Sequence, residues 1–154
     1  MDKIVFITGA SSGIGAGCAR KFASQGASLI LNARNVNKLS ALKEELEKQY
    51  GAKIYLLPFD VRDRKAATSA LESLPKEWQS IDILVNNTGL VIGTDKEQEG
   101  SLDEWDIVID TNIKALLAMT RLIVPGMVER KRGHIINIGS IAGDAAYPGG
   151  SVYC

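Results

Sequence analysis

The chain is short of the residues that hold metals or build disulfides. Its 154 residues include two cysteines, Cys18 and Cys154, and one histidine, His134. The cysteines have no metal-ligand spacing, and Cys18 falls on the apolar side of an expected helix, so both are read as reduced thiols. Metal binding and histidine-based catalysis are not expected, because His134 starts a strand at the opposite end of the sheet from the ligand-binding loops. An excess of one charge is lacking too. Eighteen Lys plus Arg balance 18 Asp plus Glu, which leaves no global field to draw the protein to nucleic acid or to an anionic membrane. No apolar run reaches membrane-spanning length, and Asp2 and Lys3 lead straight into a strand with no targeting segment. Internal repeats and low-complexity stretches are missing as well. These absences predict a cytoplasmic protein whose partner is a small molecule.

What is present is an alternation of strands and helices. With 45% hydrophobic residues, the chain is long enough for one core, and residues 1–154 are expected to form one domain. The apolar run Ile4-Val5-Phe6-Ile7 leads through Thr8-Gly9-Ala10-Ser11-Ser12-Gly13-Ile14-Gly15 into a helix with Ile14, Cys18, Ala19, Phe22 and Ala23 at helical spacing and Gly26 at its end. Strands are expected at 28–32, 53–57, 81–86 and 134–138. Helices are expected around Val36, Leu39, Leu42 and Leu46 with Gly51 as the stop, across 64–74, from Ser101 with capping-box spacing to Glu104, and from Asn112 to Glu129. In that last helix Ile113, Leu116, Leu117, Thr120, Ile123, Val124, Met127 and Val128 read as one face, with Ala115, Ala118, Met119 and Leu122 on the other. A helix apolar on two sides needs two partners, so a second subunit is expected against it, and Pro125 should kink it. Apolar strands joined by helices imply an α/β, Rossmann-type, doubly wound parallel sheet of strand order 3-2-1-4-5.

Ligands in such a sheet lie at the carboxyl ends of the strands. Gly9 can turn sharply, Gly13 can let a phosphate approach the backbone, and Gly15 can let the helix pack closely. The free N–H groups of the helix start, with Ser11, Ser12 and Ile14, then face the anion. The bland alternative is a tight turn without a ligand. A P-loop is excluded, because Ile14-Gly15-Ala16 stands where a Lys-Ser/Thr pair is needed. Where an NAD site would place an acid, this chain has Arg34 with Asn35 beside it. A guanidinium matches a 2′-phosphate, so the position favours NADP(H), against a merely solvated arginine. Asp60 either accepts from the adenine amino group, with Val61 against the ring, or caps the next helix. Asn86-Asn87-Thr88-Gly89 closes the fourth strand, its amides holding neighbouring strand ends and its backbone facing a cofactor, or serving structure alone. Asn112, Ser140 and Tyr153 fall at a helix start, a strand end and the loop beyond, and are expected to face one cleft.

Together these motifs resemble the short-chain dehydrogenase/reductase family over every residue given. Leu74 to Trp78, Asp82 to Gly89, Pro125 to Arg130 and Gly133 to Ser140 are similar to its NADP-dependent 3-hydroxy acid (serine-type) members, which oxidise small β-hydroxy acids. The resemblance implies Tyr153 as general acid/base on the alcohol or carbonyl oxygen, Ser140 as its hydrogen-bond partner and Asn112 as holder of a proton-relay water. Arg34, Asn35, Asp60, Val61, Asn87 and Gly89 join the glycine turn as cofactor residues, and the helix of 112–129 implies a homo-oligomer. Two departures stand out. Thr88 replaces the usual alanine, its hydroxyl expected to bond locally, and the residues end at Cys154, before the lysine that follows the family's tyrosine by four positions. That lysine lowers the tyrosine's pKa towards working pH. The expectation is therefore the N-terminal portion of an NADP-dependent dehydrogenase, with a non-catalytic NADP-binding module or an interaction fragment as alternatives.

Overall fold

The computed structural model describes residues 2–154. Period-two alternation in the first strand decides how the layers form. In β1 (Ile4–Ile7) the side chains of Val5 and Ile7 join one core cluster and Phe6 joins another, as a pleated strand buried on both faces requires. The same division runs through β2 (Ser28–Leu31), where Leu29 and Leu31 lie on one side and Ile30 on the other. With β3 (Ile54–Leu56), β4 (Ile81–Asn86) and β5 (His134–Asn137), these strands form one parallel sheet in the order β3-β2-β1-β4-β5. The expected order holds.

On one face lie α1 (Gly13–Ser24) and α2 (Val36–Tyr50), which bury Ala16, Ala19, Ala23, Leu39, Leu42 and Leu46. Small residues on α1 let it approach the sheet closely. Ile14, expected on that buried side, is instead 62% exposed, because the first turn of α1 lies beyond the carboxyl end of β1. Gly51 ends α2 in the left-handed conformation at φ +61°, as its place in the sequence predicts. The opposite face is covered by α3 (Arg64–Glu72) and α5 (Ala115–Glu129).

Register slips once between β1 and β4. Ile4 pairs with Ile81 and Val5 with Ile83, so Asp82 is the extra residue. Its carboxylate, only 4% exposed, accepts from the Ile4 N–H at 3.0 Å and from Arg132 Nε at 2.7 Å, which gives the bulge a partner for both of its oxygens.

The helix expected to begin at Asn112 differs. A single helical path starts with α4 (Leu102–Ile109), capped by the Ser101 hydroxyl accepting from the Glu104 N–H at 3.4 Å, passes through a π turn over Asp110–Lys114, and continues as α5. No glycine or proline stands between Leu102 and Val124 to break it. Asn112 therefore sits inside the π turn, where the Ala115 N–H reaches back five residues to the Asp110 carbonyl. The apolar faces are also redrawn. Thr111, Ala115, Met119, Ile123 and Met127 form the buried row, whereas Ile113, Leu117 and Val128 face outward. A segment apolar all round carries no strong moment, so the groove of the sheet, not the sequence, selects the row. Pro125 lies inside α5.

Candidate functional site

The carboxyl rim of β1, β2 and β4 is built from hydrogen bonds between distant parts of the chain. Thr8 Oγ1 accepts from the N–H groups of Asn87 and Thr88, each at 3.0 Å, and donates to the Val85 carbonyl at 3.4 Å. Asn87 Nδ2 donates to the carbonyls of Thr8 at 3.0 Å and Gly9 at 3.1 Å. The turn is thus held from β4, and its glycines divide the remaining work. Gly9 is left-handed at φ +63°, and a Cβ there would press on Asn87 Nδ2 and Thr88. At Gly15 a Cβ would overlap the Gly9 carbonyl and the Asn87 amide, so close packing is against the turn itself. Gly13, at φ +52°, has open space, with nothing beyond its own stretch of chain within 4 Å of where a Cβ would stand.

That open side faces the start of α1. Ser12 precedes the helix in an extended conformation and makes no side-chain cap bond among the described residues. The first-turn N–H groups are left for another acceptor, with Ser12 and Ile14 exposed around them and Ser11 half-buried. A dinucleotide pyrophosphate fits this cradle by donor chemistry and by space.

At the end of β2, Asn32 is buried and its Nδ2 donates to the carbonyls of Leu57 at 3.0 Å and Phe59 at 3.1 Å, tying β2 to the segment after β3. The sequence reading missed Asn32, although a polar residue closing an apolar strand was the available signal. Arg34 follows it, its side chain 70% exposed and its Nη1 at 3.8 Å from Asp60 Oδ2. Asn35 caps α2, with Oδ1 accepting from the Lys38 N–H at 3.0 Å. Asp60 does not cap α3. Asp63 does, accepting from the Lys65 and Ala66 N–H groups at 3.0 Å, because it stands directly before the helix. The Asp60 carboxylate is instead held by Arg62, through Nη2 at 2.7 Å, Nε at 3.1 Å and the backbone N–H at 3.0 Å. Arg62, and to a smaller extent Arg34, keep this carboxyl below its ordinary range against the opposing effect of burial. Val61 is buried among the α3 and α5 side chains.

The remaining candidates are less united. Asn112 clamps Leu90, with Oδ1 accepting from its N–H at 2.9 Å and Nδ2 donating to its carbonyl at 2.7 Å. Gly89 lies under this clamp, a Cβ there standing 3.4 Å from Asn112 Oδ1. Ser140 is exposed and its Oγ accepts from the Ala142 N–H at 3.2 Å, which caps the short turn Ile141–Gly143. Tyr153 is half-buried and lines a small cavity with Val91, Asp95, Glu104, Trp105 and Gly150. Neither Ser140 nor Asn112 is among the described residues lining that cavity, so this cavity does not itself join the three residues. Gly149, left-handed at φ +82°, packs its backbone on the Thr94 carbonyl and draws the turn onto the segment before α4. The Thr88 hydroxyl was expected to bond locally, yet it is buried without a partner among the described residues.

A family model for short chain dehydrogenase matches residues 3–154. The chain belongs to the short chain dehydrogenase family. Among its relatives is the NADP-dependent 3-hydroxy acid dehydrogenase YdfG of Escherichia coli K12, 49% identical over 150 residues that cover 97% of this chain and 59% of the relative. The NADP-dependent 3-hydroxy acid dehydrogenase of Schizosaccharomyces pombe is 44% identical over 153 residues, covering 99% and 59%. The crystal structure of serine dehydrogenase from Escherichia coli superposes with a TM-score of 0.91 at 49% identity, over 97% of this chain and 68% of that one. This short chain dehydrogenase thus spans 59% of the length of the curated relatives it matches, and its doubly wound sheet is theirs. Among the described residues no helix is long and apolar enough to cross a membrane.

Proposed function

We propose that residues 1–154 form one NADP(H)-binding domain of a dehydrogenase that moves a hydride between nicotinamide and a small 3-hydroxy acid such as serine. The observation that carries this reading is the joint placement of Arg34, exposed at the end of β2, and the open cradle at Gly13. The relatives' names, which pair NADP with 3-hydroxy acids, support the same substrate class.

Bound NADP⁺ supplies the hydride acceptor. The chain's own residues do the rest. Gly9, Ser11, Ser12, Gly13, Ile14 and Gly15 receive the pyrophosphate on backbone N–H groups, and Arg34 with the Asn35 turn receives the 2′-phosphate. Asp60 and Val61 border the adenine, while Asn87 and Gly89 shape the rim towards the nicotinamide. Tyr153 holds the proton at its phenolic oxygen as acid or base for the substrate oxygen, and Ser140 bonds that oxygen. Asn112, whose side-chain amide clamps Leu90, holds the relay water. The outward row of Ile113, Leu117 and Val128 favours a homo-oligomer, testable by sedimentation of the full-length protein, and a cytoplasmic location belongs to the same reading, testable by cell fractionation.

The deciding experiment measures NADP⁺ and NAD⁺ reduction with serine and 3-hydroxypropionate, for the full-length protein and its Arg34→Asp variant. The variant should lose NADP⁺ affinity by at least about 100-fold, a few kcal/mol for charge-assisted bonds to phosphate, and change NAD⁺ little. Equal losses for both cofactors overturn the assignment to Arg34. Absence of turnover with either hydroxy acid overturns the substrate class.

A further inference from the structure

Between the end of β4 and the π turn lies a small cavity bordered by Thr8, Val61, Asn86, Thr88, Thr111 and Met119. Three of the residues lining it each carry a side-chain atom that is shut off from solvent and has no hydrogen-bond partner among the described residues: Asn86 Oδ1, Thr88 Oγ1 and Thr111 Oγ1. Asn86 and Thr111 are both buried. Unpaired polar atoms in such a place are costly, and three around one space call for a common partner.

Their chemistry specifies that partner. Asn86 Nδ2 already donates to Thr120 Oγ1 at 3.0 Å and to Asn137 Oδ1 at 2.9 Å. Its amide is therefore fixed, and the Oδ1 left over can only accept. The two threonine hydroxyls can each donate and accept. Thr8 Oγ1 is spent, accepting twice and donating to Val85. About 10 Å³ of the cavity is open to the centre of a water molecule, the room that a single internal water needs, and three polar partners match the usual number.

We propose that this cavity is a water site. One internal water donates to Asn86 Oδ1 and to one threonine hydroxyl and accepts from the other, joining Thr88 at the end of β4 to Thr111 in the π turn. Thr111 is the neighbour of Asn112, whose amide clamps Leu90. The water therefore holds the π turn in place and, through it, that clamp. Thr88, where the family usually carries alanine, supplies one of the three bonds. The inference stands apart from the proposed reaction.

The test compares crystals and melting midpoints of the full-length protein with those of Thr88→Val and Thr111→Val, which remove a hydroxyl at nearly constant shape. Ordered density for one water between the three side chains is expected in the unmodified protein. Each variant should then melt lower by roughly 2–5 °C, with the double variant losing less than the sum, because both hydroxyls serve one water. The sign is decisive. A dry hydroxyl is a burden, so Thr88→Val would melt higher or unchanged, and that result or an empty cavity in the unmodified crystal overturns the proposal. If Thr88→Val fails to fold, the density in the unmodified protein and in Thr88→Ser decides. A local readout separates this role from general stability: Leu90 amide exchange should speed by about 10-fold in Thr111→Val while Leu29 to Leu31 keep their protection. Equal acceleration at both places removes the link to the Asn112 clamp.

Discussion

The two sides of the strand rim are fastened in opposite ways. Around the glycine turn, the bonds that shape the site join residues far apart in sequence, with Asn87 Nδ2 and the Thr8 carbonyl separated by 79 positions. On the side proposed for chemistry, Ser140 bonds Ala142 two residues away, and Tyr153 borders a cavity that neither Ser140 nor Asn112 lines. The first side is a consequence of the sheet. Its geometry follows once β1 and β4 pair, because Thr8 and Asn87 are fixed by the same ladder that forms the core. The second side hangs more on local turns, with the Asn112 clamp on Leu90 and Gly149 against Thr94 as its longer ties. The sites proposed for cofactor recognition and for proton transfer therefore differ in what they demand from the fold.

The largest effect that sharpens this contrast is chemical. Tyr153→Phe removes the only phenol of the proposed site and should lower turnover of the full-length enzyme by about 10²–10⁴-fold, the ordinary contribution of a positioned acid/base. NADPH affinity, measured by fluorescence titration, should stay within about two-fold, because Tyr153 makes no bond to the glycine turn. A parallel loss of binding would show that the two sides are one unit.

Two glycine substitutions test the other side from within. Gly15→Ala drives a Cβ into the Gly9 carbonyl and the Asn87 amide, neither of which can move without breaking the β1 to β4 tie. A loss of about 3 kcal/mol is expected in urea unfolding. Gly13→Ala meets open space and carries only the strain of its φ of +52°, about 1–2 kcal/mol, yet its methyl stands where the pyrophosphate would lie, so cofactor affinity should fall more than stability. If both variants lose stability alike, the division of labour between the glycines fails.

The contrast also explains how far the sequence could be read. The strand order and the glycine turn follow from runs such as Ile4 to Ile7 and from spacing, which are local signals that the sheet then amplifies. Asp82 and Asn32 were missed for a different reason. A polar residue in or after an apolar strand has no partner until another strand arrives, and the bulge at Asp82 exists only in the pairing. The face of α5 was misread because its residues are apolar all round, so the choice of Ala115, Met119, Ile123 and Met127 belongs to the sheet groove. The π turn escaped because nothing in Asp110 to Lys114 distinguishes five-residue from four-residue hydrogen bonding before the helix is packed. Asp60 was open between two roles and does not take the cap, since Asp63 stands directly before the helix and Arg62, two residues on, reaches the Asp60 carboxylate.

That last pair gives the smallest effect. Arg62's side-chain bonds, then its backbone N–H and its charge, with a lesser part from Arg34, lower the folded-state pKa of Asp60 against the opposing cost of burial. A depressed carboxyl contributes stability that is fully present above its unfolded value, about 3.9, and is lost as pH falls through the lower folded value. The melting midpoint of the unmodified protein should therefore exceed that of Asp60→Asn above about pH 5 and converge with it as acid protonates the carboxyl. The gap should be modest, since an ion pair this near the surface is worth about 1 kcal/mol or less. A gap that stays constant down to low pH would mean that Asp60 acts by shape and hydrogen bonding alone. If the gap narrows slightly with NADPH bound while the convergence remains, Arg34, the lesser partner, has left Asp60 for the 2′-phosphate and Arg62 has stayed, which would tie the electrostatics of this loop to the cofactor side of the rim.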